Sequence, residues 1–221
     1  MSIKNRDLKR RIIDISYKKK LAHIGSCLTA VDFIDEIYAQ KKPNEKFVLS
    51  SGHAGLALYV VLEKYNHPDY GKSAVEIYNH HGTHPDRCIS CGLDCSTGSL
   101  GQGLPIAVGM ALADRSKNVY CLISDGEMAE GSIWESLSII NDLLLLNLKI
   151  YINLNGWAAY REVNKAQLIQ RMQWFNYGKI QENIHIRLTM PEKEYPAWLR
   201  EQIAHYKVLN EKEYKDILEV L

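Results

Sequence analysis

The sequence predicts an α/β fold, a parallel sheet flanked by helices on both faces, and three observations carry that prediction. Short apolar runs of strand length alternate with amphipathic stretches of helix length along the chain, an order that stacks helices over a parallel sheet. Two of the runs, residues 119–123 and 148–152, are apolar almost throughout, as strands buried on both faces are. Each leads to a polar residue suited to ligand work, Asp125 after the first and Asn155 after the second, at the strand ends where open α/β sheets bind. The chain of 221 residues is long enough for one sizeable core. No repeat, low-complexity tract or proline- or serine-rich linker divides it, so residues 1–221 read as one domain.

Taken in order, residues 3–21 form an amphipathic helix around Ile12, Ile13 and Ile15, and residues 29–40 a second helix. A strand at 46–49 leads into a helix at 53–65, and a short helix follows at 73–78. Residues 79–99 are a polar loop rich in Gly, His and Cys. After a helix at 103–115 comes the strand at 119–123. The next helix opens on Ser132-Ile133-Trp134-Glu135, which has the spacing of a capping box, and runs through the leucines at 143–146. The strand at 148–152 is followed by a helix at 164–175 and a strand at 185–188, and helical patterns at 191–205 and 211–221 close the chain.

Charge names no partner. The 27 basic and 26 acidic side chains nearly cancel, and no Lys/Arg block marks a surface for nucleic acid or an anionic membrane. The basic start leads into Ile12-Ile13-Asp14-Ile15 rather than an apolar signal core, and no run approaches the roughly eighteen apolar residues of a membrane span. These features predict a soluble cytoplasmic protein. Five cysteines, an odd number, fit a reducing compartment better than a disulfide framework.

Chemistry concentrates at Ser124-Asp125-Gly126-Glu127, with Asn155 thirty positions after Asp125. One carboxylate and one amide oxygen at adjacent strand ends suit Mg²⁺, which takes few protein oxygens and completes its shell with phosphate and water. A diphosphate cofactor held through a metal follows. Gly126 lets the backbone come close to such a group, and helix N-terminal amides favour its charge.

These residues resemble the thiamine diphosphate motif of GDG, about thirty residues, then N, and the surroundings resemble the transketolase family. Phe47-Val48-Leu49-Ser50-Ser51-Gly52-His53-Ala54 is similar to that family's FVLSxGHA segment, and Ser96-Thr97-Gly98-Ser99-Leu100-Gly101-Gln102-Gly103 to its TTGPLGQG segment. His23-Ile24-Gly25 and Thr83-His84-Pro85 fall where the family keeps cofactor- and substrate-facing histidines. The form SDGExxEGSxWE resembles stand-alone amino-terminal halves of transketolases, some of them linked to unusual sugar biosynthesis. The likeness is dense from His23 to Asn155 and thin beyond.

The resemblance implies thiamine diphosphate and Mg²⁺ as cofactors, with Asp125, Asn155 and the backbone carbonyl of Trp157 as protein ligands to the metal. It implies that His23 and His53 contact cofactor and substrate, that His84 faces the substrate, and that His205, in a segment loosely similar to the family's tail, contacts the diphosphate. It also implies that Gly98, Leu100 and Gly101 form a turn placed against the cofactor rings, that Gly126 binds near the diphosphate, and that Glu130, counted with the catalytic and cofactor-binding residues, matches a glutamate facing the partner subunit across the interface, near a second glutamate supplied by that partner. The glutamate that activates the cofactor's pyrimidine ring belongs to a separate domain in this family, and the chain has no candidate for it. The implied assembly is a heterotetramer with a second transketolase subunit carrying the pyrimidine-binding and carboxy-terminal domains, acting on sugars by moving a two-carbon ketol unit from a ketose to an aldose.

The chain also departs from the family. Ser124 stands for the first glycine of GDG, Ala158 and Ala159 stand where bulkier apolar residues are common, and the region after Asn155 is short, with Leu188-Thr189-Met190-Pro191-Glu192-Lys193 in place of a glycine-rich segment. Cys88, Cys91 and Cys95, with one of His80, His81 and His84, have spacing that can bind zinc, although residues 93–98 align with the family's approach to its glycine turn. Two alternatives share part of this pattern: the alpha chain of a 2-oxoacid dehydrogenase or decarboxylase, and a catalytically degenerate regulatory or binding subunit.

Overall fold

The structure is a computed structural model, and it describes residues 3–65, 71–158, 161–174, 178–189 and 195–221. Four strands, β1 (Lys46–Leu49), β2 (Val119–Ser124), β3 (Leu148–Leu154) and β4 (Ile184–Leu188), pair in parallel in the order β1-β2-β3-β4. The helices are α1 (Arg6–Lys19), α2 (Ile24–Gln40), α3 (Gly55–Tyr65), α4 (Ala74–His81), α5 (Gly103–Ala113), α6 (Gly131–Asp142), α7 (Lys165–Trp174) and α8 (Glu211–Val220).

The two-residue period of a strand divides the core in two. Phe47, Leu49, Tyr120, Leu122 and Tyr151 point to one face, where they meet α1 to α4 and α8 through residues such as Ile12, Val31, Val60, Ile77 and Ile217. Val48, Cys121, Ile123, Ile150 and Ile152 point to the other, against Leu104 of α5, Leu137 of α6 and Met172 of α7. Every residue of β2 is buried, which is why its sequence reads as an uninterrupted apolar run. The edge strand β4 leaves Ile186 and Leu188 exposed. Among the described residues no helix is long and apolar enough to cross a membrane.

Several boundaries differ from those the sequence suggests. Helix α2 begins at Ile24 rather than near Thr29, because His23 takes a left-handed backbone (φ 60°, ψ 24°) and its carbonyl accepts from the Cys27 amide. The capping box at Ser132 is absent: α6 starts one residue earlier with Glu130 as its N-cap, and the Ser132 hydroxyl donates to the Gly101 carbonyl instead. That helix stops at Asp142, since Leu144 turns left-handed (φ 49°) and the chain reverses to bury Leu145 and enter β3. The pattern at 191–205 forms no long helix in its described part, only the 3-10 turns Ala197–Leu199 and Gln202–His205, while residues 190–194 lie outside the described residues. Phe175 and Ala159 also lie outside them.

The cysteines differ too. Cys88 and Cys91 are joined as a disulfide, their Cα atoms 5.2 Å apart across a 3-10 turn, where the odd cysteine count predicts free thiols. Cys95 takes no part in that cluster. The chain bridges back from Leu93 to Cys88 and then carries Cys95 into the core beside Val48, which removes it from the zinc set that its spacing suggests. Cys27, Cys95 and Cys121 are free and buried.

Candidate functional site

Parallel register places the carboxyl ends of β1, β2 and β3 side by side. Ser124 lies opposite Asn153, and the Asp125 amide donates to the Asn153 carbonyl at 3.1 Å. Asp125 is 2% and Asn155 8% exposed. The amide of Gly126 donates to Asp125 Oδ1 at 3.0 Å, the amide of Gly156 to Oδ2 at 2.5 Å, and the amide of Trp157 to Asn155 Oδ1 at 2.8 Å. Gly156 sits at φ 92°, a conformation that glycine adopts freely, and so lets the chain fold back over Asp125. A carbonyl or carboxylate oxygen has two acceptor lobes, and backbone amides occupy one on each of these three oxygens. Burial pushes the Asp125 carboxyl up to about 6, against the pull of the Gly156 and Gly126 amides and the charge of Lys165.

Three imidazoles meet in the cavity that Asn155 borders. The ring centroids of His23 and His53 are 5.4 Å apart, those of His53 and His205 6.1 Å, and those of His23 and His205 6.4 Å. The His23 amide donates to the His205 carbonyl at 2.9 Å, and Ser26 Oγ lies 3.3 Å from His205 Nε2. A Cβ on Gly25 would fall 2.8 Å from that of Ala204, so only glycine lets the start of α2 close against the turn that carries His205. Burial holds all three rings below the ordinary histidine range, and repulsion from neighbouring rings adds to it at His23 and at His53, which is brought down to about 3, so the cluster is neutral at pH 7. The buried Nδ1 of His23 has no hydrogen-bond partner. An orphaned polar atom and a left-handed non-glycine residue at one position are the kind of cost that functional sites carry.

Beneath the site lies Glu127, fully buried, to which the sequence motifs assign no role. Its carboxylate accepts from Ser50 Oγ at 2.6 Å, the Gly101 amide at 3.0 Å, the Ser124 amide at 2.9 Å and Ser124 Oγ at 3.2 Å. Ser50 Oγ in turn accepts from the Gly103 amide at 3.1 Å. One carboxylate thus joins the ends of β1 and β2 to the glycine turn before α5. A signal for it does exist in the sequence, because Ser50 and Glu127 lie within the two most distinctive segments.

A cavity of about 170 Å³ collects most of the singled-out residues. His23, His53, His84 and His205 border it together with Leu100, Gly126, Asn155 and Trp157. Ser26, Ser51, Asn153 and Tyr206 join them, none of which the sequence marks as a site residue. His84 is exposed and lays its ring against Gly98, where a Cβ would come within 3.2 Å of it. Asp125 opens instead onto an adjoining cavity of about 270 Å³ that also holds Arg161 and Arg171, with Gly126 and Ala158 shared between the two. A Cβ on Gly126 would lie 3.2 Å from the Ala158 backbone, so the close approach made there is to the chain itself. Gly98 and Glu130 border neither cavity. Glu130 packs on Gly101 (φ 78°), where a Cβ would fall 2.7 Å from the Glu130 side chain. Together the strand ends offer oxygens for a hard cation, and the imidazoles offer neutral donors for an anion or a hydroxyl.

Residues 12–167 match the family model described as the thiamine diphosphate binding domain of transketolase. The chain is 32% identical over 197 residues to one subunit of the apulose-4-phosphate transketolase of Phocaeicola vulgatus, covering 80% of this chain and 68% of that protein. It is 33% identical over 169 residues to a 6-deoxy-6-sulfo-D-fructose transketolase subunit of a Clostridium species, covering 68% of this chain and 58% of that one. Human transketolase is 33% identical over 154 residues, which span 60% of this chain but 24% of the human protein. Among solved structures, transketolase from Campylobacter jejuni superposes with a TM-score of 0.69 at 20% identity, covering 99% of this chain and 43% of that one. The chain therefore belongs to the transketolase thiamine diphosphate-binding domain family.

Proposed function

We propose that this protein is the diphosphate- and metal-binding subunit of a two-chain transketolase that transfers a two-carbon ketol unit from a ketose to an aldose. The observation that supports this most is the cavity in which Asn155, Gly126 and Trp157 meet three neutral imidazoles, one of them lacking a partner at a buried nitrogen, with Asp125 held by backbone amides at the neighbouring strand end and opening onto the adjoining cavity. Asp125 fits a divalent cation because a buried carboxyl raised to about 6 gains most from a positive charge beside it. Two similar proteins carry names that make them subunits of transketolases, which supports a separate partner chain.

In this reading Asp125, Asn155 and the Trp157 carbonyl would hold Mg²⁺, and with it the diphosphate end of the cofactor. When bound, thiamine diphosphate supplies the carbanion chemistry. His53 and His205 donate hydrogen bonds to the anionic groups, a role that neutral rings perform without burying extra charge. His23 and His84 face the sugar hydroxyls, where an imidazole can give or take a proton. Leu100 forms the wall against the cofactor rings with Gly98 behind it under the His84 ring, Gly126 borders the cavity at the strand end, and Glu130 at the start of α6 reaches the partner chain. Because the described residues include no candidate for the glutamate that acts on the pyrimidine ring, the partner chain supplies it, and two copies of each chain make the assembly.

Assaying ketol transfer with this chain alone, the partner alone and the mixture tests the proposal. Activity is expected in the mixture only. Full activity from this chain by itself would refute the split-site reading, and absence of thiamine diphosphate binding by calorimetry with Mg²⁺ and partner present would refute the cofactor assignment.

A further inference from the structure

Away from this cleft, the loop between α4 and α5 builds a second cluster with the wrong chemistry for a sugar or a diphosphate. His81, the last residue of α4, lies with its Nε2 3.5 Å from Cys91 Sγ, and the donor atoms of His81, Cys88 and Cys91 all fall within 4.8 Å of one another. Cys91 is fully buried, while Cys88 and His81 are half-buried, so the cluster is walled on one side and open on the other. Lys72 Nζ lies 3.4 Å from Cys91 Sγ, a cation placed to favour the thiolate.

The backbone between the cysteines is shaped around them. The Cys88 and Leu93 amides and carbonyls exchange hydrogen bonds at 2.9 Å, the Cys91 amide donates to the Cys88 carbonyl at 2.9 Å, and Gly92 turns left-handed at φ 79°. This Cys-x-x-Cys-Gly turn presents both sulfurs on the same side of the loop. In a tetrahedral zinc site with Zn–S of about 2.3 Å and Zn–N of about 2.0–2.1 Å, neighbouring nitrogen and sulfur ligands stand about 3.6 Å apart. The observed His81–Cys91 separation of 3.5 Å fits that edge.

We propose that, with its cysteines reduced, this cluster binds a thiophilic divalent cation, Zn²⁺ being the best match, through His81 Nε2, Cys88 Sγ and Cys91 Sγ, with the fourth position facing solvent. The structure shows the two sulfurs joined, and the two states exchange by balanced chemistry. A thiol reductant gives up two electrons and two protons to the disulfide and is itself oxidised to a disulfide, leaving two cysteine thiols. Binding of the cation then displaces two protons as both sulfurs become thiolates. The metal would tie the end of α4 to the loop that continues from His84, whose ring rests on Gly98. Only sulfur and imidazole donors are involved, so the site is distinct from the oxygen ligands at the strand ends.

The test is titration of Co²⁺ into the full chain, reduced with a phosphine and then freed of metal, without thiamine diphosphate, so that its outcome is independent of the activity proposed above. Wild-type protein is expected to develop a thiolate-to-cobalt charge-transfer band in the near ultraviolet that Zn²⁺ abolishes. Cys88→Ser and Cys91→Ser should lose the band, His81→Gln should weaken binding and shift the visible bands, and Cys95→Ala should retain the wild-type spectrum. Absence of the band in reduced wild-type protein, its survival in Cys91→Ser, or its loss in Cys95→Ala with the far-ultraviolet circular dichroism unchanged would each overturn the proposal. The wild-type titration decides the matter even where a variant fails to fold.

Discussion

Ser50 and Glu127 meet at 2.6 Å beneath the cleft, a hydroxyl at the end of β1 donating to a fully buried carboxylate just past β2. Four donors converge on that carboxylate, so a charged group in an apolar setting becomes the fastener between two strands and a glycine turn. Burial still raises its pKa above the ordinary value, the hydrogen bonds offsetting only part of that cost.

Replacing Glu127 by Gln keeps the volume but turns an NH₂ group toward donors that need an acceptor. The expected loss is about 1–3 kcal/mol, the usual cost of leaving a buried polar group unsatisfied. Urea unfolding followed by circular dichroism checks it, and an unchanged midpoint would show that the fastener is dispensable.

Asp125→Asn and Asn155→Ala are expected to separate binding from folding. Each removes an oxygen assigned to the metal, so affinity for thiamine diphosphate with Mg²⁺ in the assembled complex should fall at least about a hundredfold, or ~2.7 kcal/mol. The folds should persist at a cost of about 1–3 kcal/mol, because the amides of Gly126, Gly156 or Trp157 lose an acceptor while the apolar packing of both core clusters is untouched. Calorimetry reads the first effect and thermal unfolding the second.

Acid should destabilise the ligand-free protein through its histidines. His53 is depressed from 6.5 to about 3 by burial and by its neighbours His23 and His205, so below 6.5 the unfolded chain takes up protons that the folded one refuses. Its contribution to stability is fully present above pH 6.5 and is lost as pH falls toward about 3. Allowing for its partial exposure, we expect a loss of about 1–2 kcal/mol between pH 6.5 and about pH 5. Thermal unfolding against pH should be flatter in His53→Gln. Binding of an anionic diphosphate should raise these pKa values while leaving the rings neutral at pH 7, so proton uptake on binding, read by calorimetry in buffers of different ionisation enthalpy, is expected only in the acid range.

Gly101→Ala tests the turn itself. At φ 78° an alanine is strained, and its Cβ would stand 2.7 Å from both the Glu130 side chain and Ser132 Oγ. A destabilisation of about 1–3 kcal/mol is expected in thermal or urea unfolding. The cleft should loosen with it, since the Gly101 amide is one of the four donors to Glu127.

Much of this protein is legible in its sequence because the relevant physics is local. The period of apolar residues gives the strands and most helices, and the dense run from His23 to Asn155 fixes the family and marks many of the residues that border the histidine-lined cavity. Prediction fails where local signals compete. Ser132 and Glu135 have capping-box spacing, yet the serine is drawn away by the Gly101 carbonyl; the leucines at 143–146 look helical, yet burying Leu145 ends the helix early.

The order of residues alone is thus enough for the α/β class, for the strand-end pair Asp125 and Asn155, and for the family. Three-dimensional packing was needed to show that His205 closes a triangle with His23 and His53, that Glu127 bolts the site from below, and that His81 rather than Cys95 joins Cys88 and Cys91. The reason is range. Periodicity and motif spacing record what neighbours along the chain do, whereas the His23–His205 contact, the Glu127 hydrogen bonds and the choice of histidine depend on how separate elements pack across a shared sheet.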